Sequence, residues 1–208
     1  MSAAARTALV AQLRKTGAIR SDAVAEAFAA VDRERFLTRA PGADPYADLA
    51  IAIKQAPSGL WLSSSSQPTM MAHMLELLEL RPGQRVLEIG AGSGYNAALM
   101  AYLAGPGVTS IDIDAELAAD AAAALGDAAT VVVGDGRAGW PAGAPYDRIM
   151  VTAATATIPD AWTLQLTPGG RLVAPMIRGD TQAVCAFVRE PGALRRVATI
   201  RGHFMELR

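Results

Sequence analysis

The chain is poor in the residues that build disulfide frameworks, metal sites and stacked aromatic surfaces. It has one cysteine, two histidines and about 5% aromatic residues in 208 positions. The single thiol, Cys185, excludes an intramolecular disulfide and, inside the apolar run 183–188, reads as a small buried hydrophobe. His73 and His203 lie far apart without metal-ligand spacing, so each is expected to be structural or superficial, and no metal is expected. Net charge is −1 with a pI near 6.1, which leaves no broad basic field for nucleic acid. Arg33, Arg35 and Arg39 read as a solvated helix face. No apolar run approaches the ~18 residues of a membrane span, and the alanine-rich start lacks a signal-peptide apolar region. These absences point to a cytoplasmic protein with no membrane partner. Trp61, Trp140 and Trp162 are expected in the core or a pocket wall, not as a base-stacking set.

What is present suits an enzyme with one hydrophobic core. Hydrophobic residues make up 51% of the chain, and its length fits a single α/β domain with an N-terminal extension. Residues 3–15 form an amphipathic helix stopped by Gly17, and Ser21-Asp22 begins a second whose apolar face is Val24, Phe28 and Val31. Stretch 39–61 reads as loop, because Pro41, Gly42, Pro45, Pro57 and Gly59 interrupt it. Pro68 suits the first turn of a helix over 69–80. Strand and helix patterns then alternate to Leu166, and Pro168-Gly169-Gly170 turns into a strand over 171–175. The last two strands, 183–188 and 194–207, look antiparallel across Pro191-Gly192. The expected fold class is α/β: a doubly wound, Rossmann-like, mostly parallel sheet with helices on both faces, antiparallel C-terminal strands and an N-terminal helical extension. Residues 1–62 and 63–208 are expected to form the N-terminal part and the core of one compact unit.

The chemistry sits in residues 86–96, VLEIGAGSGYN. Val86-Leu87-Glu88-Ile89 is a short β-branched run that enters Gly90, Gly92 and Gly94 and then a helical pattern. Glycines there allow a tight turn that brings backbone N–H groups and a helix N-terminus against a ligand. A second strand ends in Asp112, 22 positions after Gly90, where a carboxylate accepts hydrogen bonds from ribose hydroxyls. The dinucleotide fingerprint G-x-G-x-x-G is absent; the chain has G-x-G-x-G. Glu88 is unfriendly to a pyrophosphate and friendly to a cation, which favours S-adenosylmethionine, with its ammonium and sulfonium, over NAD. Asp135-Gly136, after the strand 130–133, suits the adenine amine and ring.

These residues carry a resemblance. E-I-G-A-G-S-G-Y, V-V-V-G-D-G-R-A-G-W-P, A-P-Y-D-R-I-M-V-T-A-A and Q-L-T-P-G-G-R-L-V-A-P resemble the protein-L-isoaspartate O-methyltransferases, class I methyltransferases, over nearly the whole chain. The resemblance implies S-adenosylmethionine as cofactor, S-adenosylhomocysteine as product, and a peptide or protein bearing aspartate or isoaspartate as partner. It implies cofactor contacts from Ser64, Ser65 and Ser66, from Glu88, Gly90, Gly92, Gly94 and Asn96, and from Asp112, Ile113, Asp135 and Gly136. Aligned on Gln67-Pro68, the family's working serine falls on Ser66. The alternative for Ser66 is a helix N-cap in a flexible polar loop, and both roles can hold together. No general base is required, since a carboxylate is ionised at neutral pH and attacks the methyl in line.

The departures lie on the acceptor side. Tyr46-Ala47-Asp48 matches the family's Y-x-D, but the P-I-G-x-G-x-T-I-S pattern that follows is missing, and 49–63 is longer. Ala154-Thr155-Ala156-Thr157 replaces A-A-A-P, and Phe204-Met205-Glu206-Leu207 replaces F-V-P-L. The serine run and C-terminus also resemble a subgroup acting in ribosomal-peptide biosynthesis (lanthipeptides, graspetides, lasso peptides), which esterifies an aspartate en route to aspartimide. Two readings therefore compete, isoaspartyl repair and dedicated peptide modification, and the altered loops tilt the expectation to the second. A NAD-dependent reductase and a non-catalytic binding protein are the readings from other classes.

Overall fold

A computed structural model of the chain describes residues 2–207. Two helices come first, α1 (Ser2–Lys15) and α2 (Asp22–Ala30), followed by a 3-10 turn at Arg33–Phe36. Strands β1 (Ile51–Gln55) and β2 (Trp61–Ser65) pair antiparallel as a separate two-stranded ribbon. After α3 (Pro68–Leu78) the chain winds through β3 (Val86–Ile89), α4 (Tyr95–Ala104), β4 (Val108–Asp112), α5 (Ala115–Leu125) and β5 (Thr130–Val133). It then crosses to β6 (Tyr146–Val151), α6 (Asp160–Gln165), β7 (Leu166–Arg178), β8 (Thr181–Glu190) and β9 (Ala193–Arg201). The seven-stranded sheet has the order β5-β4-β3-β6-β7-β8-β9. Pairings from β5 to β7 are parallel, and β7–β8 and β8–β9 are antiparallel. Strand order reverses between β3 and β6, and a crevice forms outside the carboxyl ends of strands at such a switch.

Strand parity decides what each face holds. All four residues of β3 are buried, as an uninterrupted apolar run requires of a strand covered on both sides. Leu87 and Ile89 join Ile149, Val151, Trp162 and Leu172 in one cluster. Val86 belongs to the other, with Leu75, Leu99 and Met100. Glu88 has Val86's parity and so points under α4. The N-terminal helices share this second cluster: Leu9, Leu13 and Phe28 are buried with Leu75, Leu78 and Tyr95. Phe28 meets the Tyr95 ring edge-on at 6.2 Å. Each such fully buried side chain contributes about 1.5–3 kcal/mol. Ser21 caps α2 by accepting from the Val24 N–H, and Glu76 on α3 accepts from the Ser21 hydroxyl and N–H.

Several expectations change. Stretch 39–61 is not all loop: residues 51–55 pair antiparallel with 61–65 across a turn at Gly59, giving the ribbon. Strand β2 runs across position 62/63, where the N-terminal part was expected to meet the core. Pro168-Gly169-Gly170 does not end a turn before a new strand but lies within β7, where 166–171 bulges opposite 146–148. Strands β8 and β9 differ from their expected bounds, and β9 stops at Arg201, so His203 follows the strand. The segment beyond folds back: the Ala154 N–H donates to Met205 O, and the Leu207 N–H to Ala154 O. Arg33 is not on a solvated face at all; it is wholly buried.

Candidate active site

A cleft of about 1200 Å³ opens at the carboxyl ends of the parallel strands. One wall is the turn 89–93 after β3, with the end of β4 at Asp112, Ile113 and Asp114. A second wall is β2 with Ser66, Gln67 and Met70, and its Ser63 and Ser64 adjoin the turn at Gly92. Gly136, Thr152 and Ala153 form the floor, and residues 181–183 and 201–207 close the far end. Most sequence-selected residues therefore meet in one place: Ser64, Ser65, Ser66, Gly90, Gly92, Asn96, Asp112, Ile113 and Gly136 all line the cleft.

The three glycines of the turn serve different ends. All have positive φ, and a Cβ on Gly90 would lie 2.2 Å from the Thr152 hydroxyl. Gly94 backs onto α5, where a Cβ would press on Ala121 at 3.2 Å, so close helix packing requires a glycine there. Gly136 is tight against Ile89, whose Cγ2 would be 2.4 Å from an added Cβ. It is thus a packing glycine on the cleft floor.

Asp112, nearly buried, ends β4 with its carboxylate over the turn. One oxygen accepts from the Gly92 N–H and the other from the Asp114 N–H, both at 2.9 Å. Each oxygen retains a lone pair for a hydroxyl ligand. Lys54 of the ribbon donates to Asp114 at 2.6 Å and to Glu116 at 3.0 Å, fastening β1 over the loop after β4.

Glu88 departs from its expected role. Instead of facing the cleft it is fully buried behind it, accepting from Asn96 Nδ2 at 2.8 Å and from the Ser110 hydroxyl. Its register partner on β4 is Ser110, and Asn96 stands on the first turn of α4. Burial pushes the Glu88 carboxyl up to about 7, against the two hydrogen bonds that lower it. Asn96 is the group it presents to the cleft, and Asn96 Oδ1 is buried without a partner. Asp135 is engaged elsewhere: its carboxylate accepts from the Arg137 guanidinium and N–H, which hold it below the usual carboxylate range.

The serine segment is ordered, not flexible. Its last strand residue, Ser65, is buried, and its hydroxyl and carbonyl accept from Arg33. Ser66 does not cap α3; the cap position is Gln67, whose side chain makes no capping bond and instead donates to Asp48 O at 3.0 Å. Asp48 does that work from a distance, accepting from the Thr69 N–H at 2.8 Å and the Thr69 hydroxyl at 2.6 Å. The Ser66 hydroxyl makes no hydrogen bond among the described residues, so a fixed backbone presents a free hydroxyl at the cleft.

Sequence reasoning missed Arg33, Asp48 and Lys54. Asp48 enters the sequence reading only as part of the Y-x-D match, without a role, and a signal existed for Arg33: in a 3-10 turn, residues three apart eclipse, and Arg33 precedes buried Phe36 by three. His203 and Arg201, set aside as surface or unremarked, line the far end of the cleft. His73 is half-buried on α3, where burial lowers its pKa. Among the described residues no helix is long and apolar enough to cross a membrane, and no group of His, Cys, Asp and Glu could hold a metal ion.

The arrangement suits a nucleoside ligand carrying positive charge. The wall formed by turn 89–93 and the β4 end presents carboxylates and one unpartnered amide oxygen but no lysine or arginine. A pyrophosphate would meet Asp112 there without a cation of its own, since Lys54 is already paired with Asp114 and Glu116.

Comparison with known proteins agrees. The family model described as "Protein-L-isoaspartate(D-aspartate) O-methyltransferase (PCMT)" matches residues 4–205. A protein-L-isoaspartate O-methyltransferase of Anaeromyxobacter dehalogenans is 44% identical over 192 residues, 90% of this chain and 88% of that protein. One from Methanopyrus kandleri is 41% identical over 92% of this chain and 86% of its own. A solved protein-L-isoaspartate O-methyltransferase superposes with a TM-score of 0.87 at 33% identity, covering 97% of this chain and 65% of that one. A Plasmodium falciparum structure, described as a complex with S-adenosyl-L-homocysteine, shares the fold at TM-score 0.82 and 21% identity, over 98% of both chains. With its Rossmann-like sheet and cleft, this chain belongs to the protein-L-isoaspartate O-methyltransferase family.

Proposed function

We propose that this protein transfers a methyl group from S-adenosylmethionine to the free carboxylate of an isoaspartyl residue in a peptide or protein. The observation that carries this reading is the polarity of the cleft. Its carboxylate wall suits a nucleoside with ammonium and sulfonium groups, and Ser66, with its hydroxyl free, lines the same cleft. Asp112 would hold the ribose hydroxyls, Gly92 and Asn96 the methionine part, and Ile113, half exposed beside Asp112, one face of the adenine. Glu88 acts through Asn96, fixing the amide so that Oδ1 is left as an acceptor.

When bound, S-adenosylmethionine supplies an electrophilic methyl on a sulfonium. The protein's part is to hold the acceptor carboxylate in line with it. The acceptor is already ionised at neutral pH, so no side chain need remove a proton. Ser66 donates a hydrogen bond to one carboxylate oxygen and leaves the other free to attack. Alignment of this kind supplies much of the rate in a displacement. The methyl ester carbonyl is more electrophilic than the carboxylate, and the next residue's amide nitrogen attacks it, breaking the acyl C–O bond and releasing methanol as the succinimide closes. Hydrolysis of the succinimide returns a share of ordinary aspartate, which is repair.

The acceptor would enter past an apolar rim of Leu60, Trp61 and Met205, all exposed at or beside the cleft. The lean toward a dedicated aspartate in a cyclised precursor is set aside. Relatives above 40% identity over nine-tenths of the chain carry the isoaspartate name, and the altered 49–63 stretch folds as an ordered ribbon over the cleft. Methyl transfer from labelled S-adenosylmethionine to a linear isoaspartyl peptide tests the reading; transfer only to a cyclised aspartyl peptide would return it to biosynthesis. A cytoplasmic location is part of this proposal and follows from the intracellular supply of the methyl donor.

A further inference from the structure

Arg33 is the one arginine that is completely buried among the described residues, and no carboxylate lies within ion-pair distance of it. A charge removed from water without a counter-ion is costly unless every donor is satisfied. Here carbonyls and one hydroxyl satisfy the two terminal nitrogens. One guanidinium nitrogen donates to Pro45 O and Ala47 O at 3.1 and 3.3 Å. The other donates to Leu49 O at 3.4 Å, Ser65 O at 3.3 Å, the Ser65 hydroxyl at 3.1 Å and Ser66 O at 2.9 Å. The guanidinium carbon lies 5.7 Å from the centroid of Tyr95, the first residue of α4. Nε is buried without a partner.

The shortest of these bonds goes to Ser66, whose hydroxyl is free at the cleft. The same fork holds segment 45–49, and Asp48 of that segment in turn anchors the start of α3 through Thr69. The end of the serine segment and, through segment 45–49, the start of α3 are thus tied to one cation, and Tyr95 beneath it links that cation to the helix that begins at the glycine turn. We infer that Arg33 is a positioning residue for methyl transfer: it fixes the Ser65–Ser66 backbone and so aims the Ser66 hydroxyl into the cleft. The inference rests on the methyltransferase reading for its catalytic half and on geometry alone for its structural half. A planar fork reaches carbonyls on two segments at once; an ammonium, with three donors on one nitrogen, keeps the charge but cannot span them.

The test is Arg33→Lys, read by hydrogen exchange and by kinetics. In the ligand-free protein, amide protection at 65–67 should fall at least tenfold while β3 and β6 keep theirs. With isoaspartyl peptide, kcat should fall thirtyfold or more, while S-adenosylmethionine affinity stays within threefold of wild type. Unchanged protection, or a kcat within threefold of wild type, overturns the inference. A wild-type protein without methyl transfer would sink the proposed function, and exchange alone would then decide the positioning role. If Arg33→Lys does not fold, Ser65→Ala removes one acceptor of the fork; a kcat three- to tenfold lower supports the inference, and a wild-type kcat overturns it.

Discussion

The turn after β3 and the segment before α3 both line the cleft and are held by opposite means. The turn is shaped by local backbone geometry: three glycines at positive φ, an aspartate accepting two backbone N–H groups, and no cation. The serine segment is shaped from a distance, by an arginine from the N-terminal helices and an aspartate beyond it. The first wall is acidic and, in the proposed function, holds the cofactor; the second carries hydroxyls on a clamped backbone and is proposed to align the acceptor. A site of this kind separates binding from alignment, and substitutions on the two walls should separate affinity from turnover.

The largest effect belongs to the cofactor wall. Asp112→Ala removes a charged acceptor for two ribose hydroxyls and frees two loop N–H groups. It should weaken S-adenosylmethionine binding by about 2–4 kcal/mol, measured by calorimetry. Unchanged affinity would place the nucleoside elsewhere.

The second concerns Glu88 and is written in pH. Its carboxyl is raised by burial from 4.5 to about 7, so the native state keeps a proton that the unfolded chain releases. The unfolded state then binds fewer protons, and stability from this group is lost as pH rises through that window. Glu88→Gln abolishes the term. The stability difference between variant and wild type should shift by about 3 kcal/mol in the variant's favour between pH 4.5 and 7.5, read from urea unfolding. A pH-independent difference would mean that Glu88 is ionised throughout.

The third tests the acceptor wall. Ser66→Ala should lower kcat by one to two orders of magnitude and leave S-adenosylmethionine affinity nearly intact, as for loss of a positioning contact. An equal loss of affinity would dissolve the division between the walls. The smallest effect is at the rim. Trp61 is 45% exposed, and Trp61→Ala should raise the KM for peptide by about three- to tenfold without changing kcat, worth roughly 1 kcal/mol of apolar contact. A change in kcat would put Trp61 in the reacting geometry.

The two walls also differ in how far they can be read from the chain. Strand 86–89, the glycine turn and Asp112 are neighbours in a βαβ unit, so spacing alone brings them together, and the doubly wound sheet follows from the same alternation. Glu88 was legible as an acid but not as a buried one; its parity with Val86 under α4 decides that, and cation preference does not. Gly94 and Gly136 looked like ligand glycines; that packing requires them was not legible, because Ala121 and Ile89 come from elements remote in sequence. The acceptor wall depends on contacts of 16 to 33 positions between Arg33 and residues 49–66. Three arginines close together in a charged stretch suggest solvent, and only the fold shows that one of them turns inward. The ribbon was hidden by prolines and glycines that mark its turn and edges, not an absence of strand.

Methyl transfer to matched linear peptides that differ only in isoaspartyl or aspartyl linkage tests the central claim most directly. The account predicts that the isoaspartyl peptide consumes S-adenosylmethionine, forms the ester and proceeds to succinimide, while the aspartyl peptide stays unmodified. Transfer to a cyclised aspartyl peptide with none to the isoaspartyl one would contradict it.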